Sequence, residues 1–323
     1  AVIEKDKCNP VGCGGYLCIR VCPLNMEGKE CIVIGADGKA QINEEVANEA
    51  CSICVKKCPF GAIHLVNLPE RLTERPIHRY GPDGFTLFSL PVPLFGQVNG
   101  ILGVNAVGKS TALRVLAQTL KPNLGRVKIA GKETVSQQAE INELIAMFKG
   151  SEAQIFFEKI KSGELKIAYK PQAIDAIPKL FSGTAKELLA KVTNDKGKLD
   201  FVAEDLGISE VLNSKVAELA GGELQRVAIA AALLRETSGA NVYLLDEPTA
   251  FLDIKQRVNI SKLLRSFVKP ESTILVVEHD LIVLDYLADN VHIMYGESGA
   301  YGIVSKPRPT RTAINTYLGG YLK

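Results

Sequence analysis

One short stretch of the chain has the residues and the spacing of a phosphate-binding loop. Gly103, Gly108, Lys109 and Ser110 fit the pattern G-x4-G-K-[ST], between an apolar run and a helical run. Glycines let backbone N–H groups wrap a phosphate, the lysine adds positive charge, and the serine hydroxyl can coordinate Mg²⁺. Ala106 stands where a glycine is common, which narrows the backbone freedom of the loop slightly. The predicted nucleotide-binding residues of this loop are Asn105, Gly108, Lys109, Ser110 and Thr111.

Two carboxylates follow a second apolar run. Asp246 and Glu247 come at the end of a run that begins at Val242. Carboxylates at the C-terminal end of a buried strand point into the crevice where an α/β sheet binds its nucleotide. We predict that Asp246 holds Mg²⁺ together with Ser110, and that Glu247 polarises the attacking water. A solvated pair of acidic residues after a strand is the alternative.

A pair of glycines, Gly221 and Gly222, opens a predicted helix shortly before these carboxylates. Ala220 precedes the pair and Glu223 follows it. The N-terminus of a helix presents free backbone N–H groups and therefore attracts the negative charge of a phosphate. We predict that these four residues contact a phosphate, and a Gly-Gly helix start without a ligand is the alternative.

All eight cysteines lie between residues 8 and 58, which indicates a separate domain. Seven of them form two runs that each close with C-x3-C-P, a pattern that resembles bacterial two-cluster ferredoxins, and Cys31 lies between the runs. In those proteins the last cysteine of one run ligates the cluster of the other run, and two [4Fe-4S] clusters need eight thiolates. The predicted iron-sulfur ligands are Cys8, Cys13, Cys18, Cys22, Cys31, Cys51, Cys54 and Cys58.

The second run lacks one cysteine of the ferredoxin pattern, because Asn48 stands in its place. Cys31 is the candidate replacement, and without it we expect a three-iron cluster or a non-cysteine ligand. Tetrahedral zinc, which also takes four cysteines, and reduced free thiols are the alternatives. A disulfide scaffold is disfavoured, because no secretory signal is present and the rest of the chain has no cysteine.

The elements that must position these motifs are those of an α/β domain. From about residue 80 onward, short apolar runs alternate with helical stretches. We predict buried strands at residues 99–104, 241–246 and 273–277, and an inserted helix pair at about residues 133–166. The apolar residues of the insertion that follow helical spacing are Ile141, Leu144, Ile145 and Phe148.

Composition and charge fit a protein of two folded domains. The 323 residues are 46% hydrophobic and 23% charged, and roughly 100 to 200 residues per domain is usual. A net charge of +2 gives no bulk attraction to nucleic acid or membranes. The apolar runs fall short of the about 18 residues that a membrane span needs, and no secretory signal opens the chain. We expect a soluble cytoplasmic protein without a membrane partner.

The order of the motifs resembles that of ATP-binding cassette (ABC) ATPases. Residues 219–226 resemble their signature, with Ala220 in place of the usual serine, and residues 251–253 resemble the D-loop. The resemblance implies that Gln172, in a segment similar to the Q-loop, acts in catalysis and Mg²⁺ binding. It also implies that His279 is the switch histidine that contacts the γ-phosphate. Two aromatic residues are candidates for stacking on adenine, namely Phe85, which is favoured, and Tyr80.

A ferredoxin-like cysteine domain placed directly before an ABC domain resembles class E of the ABC family. These are the ribosome-recycling ATPases, also called RNase L inhibitor proteins. The fold expected from the resemblance is an α+β ferredoxin-like iron-sulfur domain at residues 1–74, then an α/β ABC-type P-loop nucleotide-binding domain at residues 75–305. Residues 306–323 are expected to be a hinge segment, which makes the chain the N-terminal half of a longer protein.

The resemblance also implies a function. ATP binding would close two nucleotide-binding domains around two nucleotides and swing the iron-sulfur domain as a lever that splits ribosomes into subunits. The implied partners are the ribosome, chiefly its small subunit, a release or rescue factor, and a second nucleotide-binding domain. An ATP-gated iron-sulfur protein for electron transfer or cluster handling, and a transporter ATPase subunit, are the alternatives.

Overall fold

The N-terminal part of the chain, residues 2–64, has short elements around a small core. The computed structural model describes residues 2–35, 37–43, 46, 53–64, 75–81, 83–127, 139–235 and 241–319. The first strands are β1 Val2–Ile3, β2 Ile32–Ile34, β3 Ala40–Ile42 and β4 Ile63–His64, and the first helices are α1 Leu17–Arg20, α2 Pro23–Met26 and α3 Ile53–Lys57. Strand β1 pairs antiparallel with β4, and β2 pairs antiparallel with β3.

A larger mixed sheet forms the centre of the rest of the molecule. Its strands in the described ranges are β5 His78–Arg79, β6 Thr86–Leu87, β7 Val98–Gly103, β8 Ile167–Lys170, β9 Val242–Asp246, β10 Thr273–Val277, β11 Asn290–Tyr295, β12 Tyr301–Val304 and β13 Arg308–Pro309. Their order is β5-β6-β12-β11-β7-β10-β9-β8, and β13 pairs with β11. Strands β11, β7, β10, β9 and β8 run parallel to their neighbours in this order.

The parallel strands bring the predicted motifs to one edge of the sheet. Strands β7, β9 and β10 are buried along their whole length, which explains why their sequences are nearly continuous apolar runs. The C-terminal ends of parallel strands lie at the same edge. The loop after β7, Asp246 at the end of β9 and Glu278 after β10 therefore meet there.

Helices cover the sheet. In the described residues they are α4 Lys109–Leu116, α5 Ile141–Met147, α6 Glu152–Ser162, α7 Ile177–Leu180, α8 Ala185–Ala190, α9 Lys196–Asp205, α10 Gly221–Leu233, α11 Ile254–Ser266, α12 Leu281–Leu287 and α13 Thr310–Leu318. Alternate residues of β10 enter two separate cores, with Ile274 in one and Leu275 in the other. This division is expected for a sheet with both faces covered.

The strand predictions agree closely with the structure. The strand at residues 273–277 is confirmed, whereas the other two differ by one residue at their ends and occupy residues 98–103 and 242–246. The expected helix pair corresponds to α5 and α6, where Phe148 stacks on Phe157 at a centroid distance of 5.7 Å. Residues 133–138 of the predicted insertion lie outside the described residues.

The segment expected as a hinge, residues 306–323, contains β13 and α13. Ala313 is fully buried, and Ile314 and Tyr317 pack against the same core. The Thr310 hydroxyl donates to the carbonyl of Ala288 at 2.8 Å, at the start of the helix. The described part of this segment, which ends at residue 319, is therefore attached to the larger domain.

Across all the ranges that the structure describes, no helix is long and apolar enough to cross a membrane.

Candidate nucleotide site

A cavity of about 600 Å³ lies over the loop between β7 and α4. The predicted catalytic and nucleotide-binding residues all line it, except Asp246. These lining residues are Tyr80, Phe85, Asn105, Gly108, Lys109, Ser110, Thr111, Gln172, Glu247 and His279. The structure therefore brings together residues that are far apart in the sequence. Ala106 and Gly299 also line the cavity and are not among the predicted nucleotide-binding residues.

The loop has the backbone shape that a phosphate cradle needs. Ala106 and Gly108 both adopt left-handed conformations, with φ of 60° and 96°. For Ala106 this conformation is disfavoured by its Cβ, which explains why glycine is common at that position. The Lys109 ammonium donates to the carbonyls of Gly103 and Val104, both at 2.8 Å. Burial lowers the pKa of Lys109 to about 8, against the opposing influence of the nearby carboxylates.

Gly108 is the loop position where a side chain has the least room. A Cβ there would overlap Cζ of Phe85. We expect Gly108→Ala to displace the Phe85 ring and to weaken ATP binding by about tenfold or more, about 1.4 kcal/mol, measured by a fluorescent ATP analogue.

Gly163→Ala is the matched control for this prediction. Gly163 is also left-handed, with φ of 81°, but no atom lies within 4 Å of its hypothetical Cβ. Gly163→Ala should lower the free energy of unfolding by about 1 kcal/mol, the cost of a residue with a Cβ in the left-handed conformation, and leave the affinity for ATP unchanged. Equal ATP affinities in the Gly108 variant and the wild type would contradict the cradle assignment.

Asp246 is a buried carboxylate at the C-terminal end of β9. It is 1% exposed, and among the described residues neither of its carboxylate oxygens has a hydrogen-bond partner. Burial raises its pKa, and the nearby Ser110 hydroxyl, which lies outside hydrogen-bond geometry, opposes this. Buried acceptors without donors are costly unless a ligand satisfies them. A divalent cation between Asp246 and Ser110 would do so, and the residues therefore fit Mg²⁺.

Glu247 lies where the three predicted catalytic side chains meet. Its Oε1 accepts a hydrogen bond from Nε2 of Gln172 at 3.0 Å, and Nε2 of His279 lies 3.2 Å from the same oxygen. The Glu247 backbone is left-handed, with φ of 46°. Residues held in such conformations are concentrated at active sites, because the surrounding structure must impose them.

The predicted signature residues do not line the cavity. Helix α10 begins at Gly221, and none of Ala220, Gly221, Gly222 or Glu223, all of which the structure describes, lines the cavity. The Glu223 carboxylate accepts the N–H of Ala220 at 2.9 Å, and this contact orders the start of the helix. Ala220 and Gly221 are exposed. The helix N-terminus is therefore accessible to a ligand held by another domain.

The two aromatic candidates occupy different positions on the cavity wall. Phe85 packs against the loop at Gly108, while Tyr80 is 47% exposed. The Tyr80 hydroxyl lies 3.3 Å from Oγ1 of Thr111, and its ring meets His78 edge-on at 4.6 Å. Both rings border the space that a nucleotide would fill, and Tyr80 is the more accessible.

Most of the predicted iron-sulfur ligands share the small N-terminal core. Cys22 and Cys31 are buried in it, and further cysteines pack against it, namely Cys8, Cys18, Cys54 and Cys58. Burial raises the pKa of the Cys18 thiol to about 11, with smaller contributions from Cys8 and Cys13. Cys51 and Asn48 lie outside the described residues. In the part of the chain that the structure describes, no three His, Cys, Asp or Glu side chains are arranged to hold a metal ion.

Two further buried residues, which are not among the predicted site residues, contact the backbone at residues 246–248. Lys170 and Gln225 donate hydrogen bonds to backbone carbonyls at residues 246–248. Both stand within motifs already identified, two residues before Gln172 and three residues after Gly222. A lysine within an apolar strand was the available signal, because an unpaired buried ammonium is costly. Burial lowers the pKa of Lys170 to about 8, opposed by Asp246, Glu247 and Glu278.

Known proteins of the ABC family resemble this chain. A family model described as ABC transporter matches residues 94–250. The chain is 41% identical over 322 residues to ABC transporter E family member 1 of Arabidopsis thaliana, covering 100% of this chain and 51% of that protein. It is 41% identical over 326 residues to translation initiation factor RLI1 of Saccharomyces cerevisiae, covering 100% of this chain and 52% of that protein.

A solved structure shows the same likeness over the whole chain. The model of ribosome-bound archaeal Pelota and ABCE1 matches with a TM-score of 0.87 and 47% identity, covering 100% of this chain and 52% of that chain. The chain thus spans about half the length of the relatives that it matches. The region matched by the family model includes the phosphate loop and both carboxylates, and the whole-chain matches add the cysteine-rich start. The chain therefore belongs to the ABC ATPases of class E, the RNase L inhibitor family.

Proposed function

We propose that this chain is an ATPase that binds Mg-ATP in the cavity and hydrolyses it when paired with a second nucleotide-binding domain. The observation that carries the proposal is the position of the Glu247 carboxylate. It borders the phosphate-loop cavity and contacts Gln172 and His279 there. A carboxylate in this place can orient a water molecule toward the γ-phosphorus and accept its proton.

The phosphate loop would bind the phosphates of ATP, and the Asp246 carboxylate would help to hold the Mg²⁺ ion that accompanies them. The backbone N–H groups of residues 105–110 and the Lys109 ammonium would hold the β- and γ-phosphates. Ser110, Asp246 and Gln172 would hold Mg²⁺, which when bound neutralises charge on the phosphates. The unpartnered oxygens of Asp246 support this assignment.

Other residues of the cavity would contact the γ-phosphate and the adenine ring. His279, within reach of the Glu247 carboxylate, would donate a hydrogen bond to the γ-phosphate. Adenine would stack on an aromatic ring of the wall, either Phe85 or Tyr80. The signature residues would contact the nucleotide of the second domain, since they do not line the cavity of their own domain. These residues are Ala220, Gly221, Gly222 and Glu223.

We further propose that ATP hydrolysis by this chain drives the splitting of ribosomes into subunits in the cytoplasm. The yeast relative is named a translation initiation factor, and the matched structure is ribosome-bound with Pelota. The proposed partners are accordingly the ribosome, chiefly its small subunit, a rescue or release factor, and the second nucleotide-binding domain. Residues 1–74 would act as the lever, residues 75–305 as the ATPase domain and residues 306–323 as a hinge.

Sedimentation tests the ribosomal role. The full-length protein that contains this chain should move with ribosomal small subunits in a sucrose gradient when a non-hydrolysable ATP analogue is present, and remain at the top without nucleotide. Lys109→Ala is the control, because it removes phosphate binding and should abolish the nucleotide-dependent shift. Identical profiles with and without nucleotide would contradict the proposal.

We propose that residues 1–74 form a ferredoxin-like domain with two [4Fe-4S] clusters. Soft thiolates are suitable ligands for iron in a sulfide core, and six of the cysteines share one small core. The buried Cys31 belongs to the same core as Cys22, which supports it as the replacement for the ligand missing at Asn48.

The metal content of the protein tests this assignment. Protein purified without oxygen should be brown, absorb broadly near about 400 nm and contain about eight irons per chain, because each cubane holds four. Cys31→Ser should lower the count to about seven, the content expected when one site holds a three-iron cluster. Zinc without acid-labile sulfide would contradict the cluster assignment.

A further inference from the structure

Two buried side chains outside the cavity contact the backbone around Glu247, the proposed catalytic residue. The Lys170 ammonium donates to the carbonyl of Asp246 at 2.8 Å and to that of Glu247 at 3.3 Å. The Gln225 side-chain amide donates to the carbonyl of Glu247 at 2.6 Å and to that of Pro248 at 2.9 Å. Lys170 and Gln225, each 1% exposed, therefore tether three successive carbonyls. We name these two residues the carbonyl clamp.

The segment that the clamp contacts is held in a disfavoured conformation. Glu247 has φ of 46°, which is unfavourable for a residue with a Cβ and persists only when the surroundings impose it. The Glu247 N–H donates to the carbonyl of Val277 at 3.0 Å, and the Glu247 carbonyl accepts from both clamp residues. Both ends of this residue are thus fixed, and its backbone directs the side chain toward Gln172 and His279.

The clamp also connects the catalytic residue to two other motifs. Lys170 is the last residue of β8 and stands two positions before Gln172. Gln225 lies in the second turn of α10, the helix that starts with the exposed Gly221 and the half-buried Gly222. The position of the Glu247 backbone therefore depends on both elements.

We propose that Lys170 and Gln225 are positioning residues for ATP hydrolysis, which hold the backbone at residues 246–248 so that the Glu247 carboxylate stays in place for the attacking water. This inference rests on the proposed ATPase function. A small misplacement of a catalytic group costs a large factor in rate, because the reacting atoms must be aligned within about 1 Å. Nucleotide affinity should change little, since neither residue lines the cavity.

Hydrogen exchange tests the clamp itself, without reference to activity. Lys170→Met and Gln225→Met remove the donors with little change in side-chain size. The amides of residues 245–250 should exchange faster in both variants, measured by mass spectrometry on the nucleotide-free protein. Ser261→Ala is the matched control, because Ser261 is also buried and donates to a backbone carbonyl, that of Arg257, in α11. Unchanged exchange of residues 245–250 in both clamp variants would overturn the inference.

Kinetics test the consequence for catalysis in the full-length protein. Both clamp variants should lower kcat by about tenfold or more and leave KM within about twofold, whereas Ser261→Ala should change neither. In the Glu247→Gln background, Lys170→Met should cause no further loss, because the carboxylate that it positions is already absent. An equal loss in both backgrounds would show that Lys170 does not act through Glu247 and would overturn the inference.

The Gln225 variant and the Lys109→Ala control separate failure of the clamp from misfolding and from failure of the ATPase proposal. Gln225→Met leaves the net charge unchanged, so it tests the clamp even if Lys170→Met does not fold. Failure of the ATPase proposal would be recognised separately, since the wild type would then hydrolyse no more ATP than Lys109→Ala does. In that case faster exchange at residues 245–250 would still establish the clamp, and its assignment to hydrolysis would be wrong.

Discussion

Glu247→Gln is expected to keep ATP bound and to slow its hydrolysis by about 10²-fold or more. The carboxamide has the shape of the carboxylate, and its oxygen can still accept the hydrogen bond from Gln172. It is a far weaker base, so the water loses its proton acceptor, and losses of this size are typical when a general base is removed. Phosphate binding is unaffected, because the loop and Lys109 are unchanged.

Two measurements on the full-length protein separate the roles of base and loop. Single-turnover hydrolysis should fall in Glu247→Gln, while titration with a fluorescent ATP analogue should give a Kd close to that of the wild type. Lys109→Ala is the opposite control and should raise the Kd, because it removes the buried ammonium next to the loop carbonyls. Hydrolysis at the wild-type rate in Glu247→Gln would show that this carboxylate is not the base.

The site was predictable where chemistry depends on local spacing. The pattern from Gly103 to Ser110 specifies a strand, a turn and a helix, and the structure has β7, the loop and α4 in that order. The meeting of this loop with Asp246 was predictable as well, because the ends of buried parallel strands share one sheet edge. The order of the apolar runs and the polar residues at their ends is sufficient for these predictions.

Other features depend on packing between distant segments and could not be read from spacing. Lys170 and Gln225 contact residues that lie 22 to 77 positions away in the chain, so the sequence can indicate a buried lysine but not the carbonyls that the two side chains contact. The left-handed backbone of Glu247 is imposed by its surroundings, since a glutamate does not favour it. Likewise, residues 306–323 are predicted only as a hinge, and the buried face of α13 at Ala313 is evident only in the structure.

The 323-residue chain alone is expected to bind Mg-ATP as a monomer and to hydrolyse it very slowly. Lys109 and Glu247 line the cavity, whereas the signature residues Gly221 and Gly222 do not. In the class E arrangement, the γ-phosphate would meet the helix N-terminus of a second domain, which this chain does not supply to its own site. Losing such preorganised donors typically costs about 3 kcal/mol or more, over a hundredfold in rate.

Steady-state ATPase assays over a series of protein concentrations test this expectation. Slow turnover that is strictly proportional to concentration, together with a monomeric mass in solution, would agree with it. Addition of the second nucleotide-binding domain should then raise the rate by about a hundredfold, since the exposed N-terminus of a second signature helix restores the missing donors. Gly221→Asp in this chain is the matched variant, because it should leave the cavity of its own domain intact and impair only the opposing site. Rapid turnover that is independent of concentration would show that one domain suffices, and a rate that rises with the square of concentration would mean that two copies of this chain pair.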